Sequence, residues 1–142
     1  MADELLLATV MVLATVSIHA IGLYALSRLL GVEERGERRA NIHPLSGRGI
    51  VNTLTVALGL FVLHGLEIWL YAFLYLAIGA VEGLRESVYF STITYGAIGY
   101  SDAAMAEQWR LVSAIEGING IILIGWSTAF FVTIIARMRR RA

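Results

Sequence analysis

Three long stretches almost free of charge divide this chain, and the polar residues gather between them. The first runs from Leu5 to Ser27 and contains no Asp, Glu or Arg. The second runs from Gly49 to Val81 with Glu67 as its single charge, and the third from Leu111 to Ala136 with Glu116 as its single charge. A bilayer crossing needs about 20 apolar residues in a helix, so each stretch is long enough to span. At ~1.5 Å per residue the second would reach about 50 Å against a core of ~30 Å, which calls for tilt or a projecting end. The first is a poor match to a cleaved signal peptide, because its leading MADE is acidic and its apolar run is too long.

Between the second and third stretches the pattern changes. Residues 84–95, LRESVYFSTITY, place Leu84, Val88 and Ser91 or Thr92 on one helical face. That predicts about three turns, too short to span but suited to a re-entrant helix. The next residues, GAIGYSD, have no hydrophobic periodicity and expose backbone groups, which lipid cannot satisfy. They are either a loop outside the membrane or backbone that lines a polar cavity.

Composition and charge sharpen this outline. The 142 residues are 58% hydrophobic and contain no cysteine, so disulfides and thiolate metal sites are excluded. Formal net charge is zero, which argues against nucleic-acid binding. All eleven basic residues are Arg. Arg28, Arg35, Arg38, Arg39 and Arg48 flank or fill the first connection, and Arg137, Arg139, Arg140 and Arg141 follow the third stretch. Only Arg85 and Arg110 lie between the second and third. Positive charge accumulates on the cytoplasmic side, which predicts a multi-pass protein of the cell (inner) membrane, N-terminus outside and C-terminus cytoplasmic. The run at 137–141 reads as an anchor that also suits anionic lipid. No repeated Arg occurs in the first stretch, so it is not a voltage sensor of the usual kind. No catalytic constellation or phosphate loop occurs in a plausible aqueous site, so an enzyme is not expected, nor a cofactor.

The segment YFSTITYGAIGYSD resembles the pore helix and selectivity filter of tetrameric potassium channels, whose pattern is roughly S-x-x-T-x-T-T-V-G-Y-G-D. The matching residues are Ser91, Thr94, Ile98 in place of Val, Gly99, Tyr100 and Asp102. QWRLVSAIEGINGII resembles the start of that family's inner helix, with Gly120 at the gating hinge. The resemblance covers about residues 60–136 and is nearest to small bacterial ion-channel-family proteins with an extra N-terminal span. It implies an all-α membrane protein of three transmembrane helices, with a re-entrant pore helix and filter loop between helices 2 and 3. Residues 1–48 would be the additional helix and cytoplasmic loop, and 49–142 the pore module. It also implies a homotetramer in the bilayer that conducts potassium or another monovalent cation. Carbonyls of Ala97, Ile98, Gly99, Tyr100 and Ser101 would replace the ion's hydration shell. Thr94, Asp102 and Glu116 would support pore helix and filter, and Tyr89 and Phe90 occupy the family's aromatic-cuff positions. Ala97 and Gly96 stand where the family commonly has Thr, and Ser101 where it has Gly, usually in a left-handed conformation that costs an L-residue about 1–2 kcal/mol.

Other residues carry alternatives. His64 and Glu67 share a face at i, i+3 and are either a proton or metal site or a packed, hydrogen-bonded pair. Glu116 either faces a cavity as a cation-attracting ring or pairs behind the filter with His64 or a pore-helix group. Gly117, Gly120 and Gly125 suit a hinge or close helix packing. His19 is expected to be packed with a single hydrogen bond, and Trp109 to anchor the outer interface. Beside the channel stand two other readings: a non-conducting or weakly selective pore-loop protein, and an intramembrane metal or proton site at His64, Glu67 and Glu116 used in transport or sensing.

Overall fold

The computed structural model describes residues 1–30, 46–99, 101 and 103–139. Four α-helices form the described chain: α1 (Ala2–Leu29), α2 (Gly47–Ala77), α3 (Leu84–Tyr95) and α4 (Arg110–Arg139), with a short 3₁₀ turn, Glu107–Trp109, leading into α4. The helices α1, α2 and α4 are each long and apolar enough to cross a membrane. Arg35, Arg38, Arg39, Tyr100, Asp102, Arg140 and Arg141 lie outside the described residues.

Local chemistry sets the helix ends. Ser46 opens α2, its hydroxyl accepting from the Gly49 N–H at 3.2 Å. The expected second span, to Val81, is too long: α2 stops at Ala77. Gly79 takes φ +63° there, and the Ala80 and Gly79 N–H groups donate back to the carbonyls of Tyr75 (2.8 Å) and Leu76 (3.3 Å). This pair of bonds satisfies the last carbonyls of the helix and turns the chain. The helix α3 has the predicted bounds.

Side-chain pairings fix the directions. His19 meets Glu67, Gly22 faces Leu63, and Leu26 faces Gly59, so α1 and α2 run antiparallel. Thr15 meets Asn119 and His19 meets Ser127, so α1 and α4 run parallel. The N-terminus of α1, residues 78–83 and the start of α4 therefore share one end of the bundle. The helix α3 enters from that end. Its last residue, Tyr95, lies against Glu67 and Gly120, about ten residues along α2 from Ala77, or about 15 Å at the helical rise. The chain then returns to its starting level, where the Ala106 N–H donates to the Ala80 carbonyl at 2.8 Å.

The interior is layered. One apolar cluster, at the end where α3 enters, includes Met11, Tyr75, Phe90 and Val112. A second, at the opposite end, comprises Leu23, Val56, Leu60, Leu63 and Ile134. Between them lie Thr15, His19, Glu67, Asn119 and Ser127, all buried.

The close approach of α3 to α4 generates a test. A β-carbon at Gly120 would overlap the Tyr95 carbonyl, whereas one at Gly125 would meet nothing within 4 Å. Gly120→Ala is expected to destabilise the folded protein by roughly 1–3 kcal/mol, as overpacking does. Gly125→Ala should leave it unchanged or slightly more stable. Thermal unfolding in detergent compares them, and equal midpoints would remove the packing role of Gly120.

Candidate functional site

The polar layer is assembled from all four helices. Glu67 projects from the middle of α2 at 0% exposure. Its Oε1 accepts from His19 Nδ1 at 2.9 Å, and its Oε2 accepts from the Tyr95 hydroxyl. His64, one turn before Glu67, brings Nδ1 to 2.8 Å from the Tyr95 oxygen and 3.4 Å from Glu67 Oε2. Ser127 of α4 lies 3.2 Å from His19 Nε2. One assignment satisfies every group. Each imidazole carries its proton on Nδ1, His64 donates to Tyr95, Tyr95 and His19 donate to Glu67, and Ser127 donates to His19.

A second group lies nearer the end where α3 enters. Glu116 is also at 0% exposure. Its Oε2 accepts from the Tyr75 hydroxyl, and its Oε1 is 2.5 Å from the Ser91 hydroxyl on α3. Ser91 is also 2.9 Å from the Ile68 carbonyl. A third link joins α1 to α4: Asn119 Nδ2 donates to Thr15 Oγ1 at 2.8 Å, and Thr15 donates to the Met11 carbonyl at 2.9 Å.

His64 and Glu67 are thus brought together, while Glu116 is held apart from them, paired with a group on α3 and with Tyr75. The anticipated His64–Glu116 pairing is absent among the described residues, because Tyr95 and Glu67 occupy His64. His19 has two side-chain partners rather than one. Its ionisable character inside an apolar run is the available signal, but which residues reach it depends on how α1 docks. Sequence reasoning misses Tyr95, Tyr75 and Ser127, since their side chains look like ordinary packing. Of the cuff positions, Phe90 is buried edge-on against Tyr75 and Tyr89 is exposed. Trp109 is partly buried beside the first apolar cluster.

The segment after α3 has a different character. Gly96, Ala97, Ile98, Gly99 and Ser101 are all exposed on the chain. Ala97 and Ile98 close α3 by donating from their N–H groups to the carbonyls of Thr94 (2.9 Å) and Ile93 (2.8 Å). This is the same closing turn as at Gly79, but with Ala97 at φ +54°. An L-residue in that conformation is strained by about 1–2 kcal/mol. The carbonyls of residues 97–99 accept no hydrogen bond among the described residues. The Ser101 hydroxyl accepts from the Ala103 N–H at 3.1 Å.

Residues 59–137 match a protein-family model described as Ion channel. No curated protein and no solved structure matches the chain.

These contacts make substitutions at two positions informative. The Ser91 hydroxyl has one hydrogen and two acceptors in reach. A Gln amide at position 116 would donate to Ser91, accept from Tyr75, and leave the Ser91 hydrogen for Ile68. Glu116→Gln is therefore expected to fold, while Glu116→Ala strands the buried Tyr75 hydroxyl at roughly 1–3 kcal/mol and leaves Ser91 tied to Ile68 alone. Yield and unfolding midpoint in detergent should rank wild type and Gln far above Ala; equal values for Gln and Ala would refute the accounting. At position 97 the midpoint should be highest for Ala97→Gly, lower for wild type and lowest for Ala97→Thr. Glycine accepts positive φ, and a β-branched residue does so worst. An Ala97→Thr variant more stable than Ala97→Gly would contradict the strained turn.

Proposed function

We infer that this multi-pass membrane protein, which belongs to the ion-channel family, assembles as a tetrameric cation channel, potassium-related. In this reading α3 is a re-entrant pore helix, and residues 97–101 form the filter. The observation that carries it is the exposed backbone after α3. About 15 Å from the end of the bundle, the carbonyls of residues 97–99 are unpaired among the described residues and uncovered by the rest of the chain. Backbone at that depth is tolerated only where protein covers it or water reaches it. A ring of further copies around a water-filled axis supplies both, and it lets the carbonyls replace a cation's hydration shell.

The remaining assignments follow. Ala97, Ile98, Gly99, Tyr100 and Ser101 present carbonyls to a monovalent cation. Thr94, Asp102 and Glu116 hold helix and filter in place, Glu116 through Ser91 on α3. Gly120 is the hinge position of α4, and its contact with Tyr95 couples any bend there to the filter. Residues 49–142 form the pore module, with α1 docked on it through His19 and Thr15. The arginine distribution supports an N-terminus outside and a C-terminus in the cytoplasm. The protein conducts without a cofactor and catalyses no reaction.

Native mass spectrometry is expected to give a tetramer, and proteoliposomes containing the purified protein should show potassium flux above empty vesicles. A stable dimer or trimer as the only species would refute the assembly. A tetramer without flux of any monovalent cation would favour the non-conducting alternative, whose motive is the AIGYS sequence at residues 97–101.

A further inference from the structure

We propose that His19, His64 and Glu67 form a binding site for a divalent transition-metal ion of the zinc class, buried between α1 and α2. One ligand atom from each residue lies within 4.8 Å of the other two. Two imidazoles and a carboxylate are a donor set that zinc and its neighbours favour. Donor atoms around a tetrahedral ion with bonds of about 2.0–2.1 Å stand roughly 3.3 Å apart. The observed separations, 2.9 Å from His19 Nδ1 to Glu67 Oε1 and 3.4 Å from His64 Nδ1 to the other oxygen, Oε2, are close to that spacing. Small side-chain rotations admit the ion.

The surroundings suit the role. Ser127 contacts the second nitrogen of His19 at 3.2 Å and fixes the ring, as outer partners of metal-bound histidines do. On binding, each imidazole moves its proton from Nδ1 to Nε2, and the Ser127 hydroxyl changes from donor to acceptor. The Tyr95 oxygen, 2.8 Å from His64 Nδ1, is the fourth donor. The His64 side chain is 19% exposed, against 0% for Glu67 and His19, and marks the entry route. Bound metal would join α1 and α2 to the last residue of α3, directly before residues 96–101.

The test uses the full chain in detergent, carrying a purification tag free of histidine, stripped with chelator and dialysed against zinc. Elemental analysis is expected to find one zinc per chain in wild type. His19→Gln and His64→Gln should each weaken binding by at least about 10-fold, and Ser127→Ala by about 10- to 100-fold. Cobalt(II) added to the stripped wild type should show the visible bands of a four-coordinate nitrogen–oxygen site, a readout that needs no variant to fold. Wild type binding no more zinc than the His19→Gln/His64→Gln double variant, or a cobalt spectrum unchanged from the free ion, would overturn the site. Neither measurement involves ion flux, so this site and the channel reading can each fail alone.

Discussion

A carboxylate in the middle of a lipid-facing bundle must find every partner inside the protein, because hydrocarbon offers none. Glu67 is in that position. Its two oxygens accept hydrogen bonds from His19 on α1 and Tyr95 on α3, and the partners of those residues extend the layer to α4. Removing one member leaves the others buried with unmet hydrogen bonds, each of which costs more than the bond itself contributes. The polar layer therefore specifies how four helices meet, in a setting where burying apolar side chains favours no particular arrangement. The apolar clusters on either side fill space, and the layer sets the register.

That register determines where α3 can stop. Ser91 is tied to α2 and α4 through Ile68 and Glu116. Tyr95 is tied to α2 through Glu67, and its carbonyl lies against Gly120, where no β-carbon fits. Two helices thus grip one 12-residue helix that is too short to hold its position alone. The strained turn at Ala97 follows at once. Its strain is sustained because the helix before it is anchored so firmly. The chain that emerges exposes its backbone, and that exposure is the physical reason for reading the single chain as one part of an assembly.

The long apolar runs and the bounds of α3 were legible in the sequence, because each rests on local chemistry: length against bilayer thickness, and a short helical pattern ended by glycine. Membership of the ion-channel family was legible too, through an ordered motif between two spans. The early end of α2 was less so, since Gly79 sits in an apolar run and its turn depends on Ala80 reaching Tyr75. Partnerships were hidden. His19 and Glu67 are 48 positions apart, His19 and Ser127 108 apart, and nothing local says that they touch. Only the antiparallel docking of α1 on α2 and its parallel docking on α4 bring these residues to one depth. The sequence by itself determined which segments enter the membrane and which residues were unusual there. The tertiary structure decided which of those residues share a site, because burial forces scattered polar groups to satisfy one another across helices.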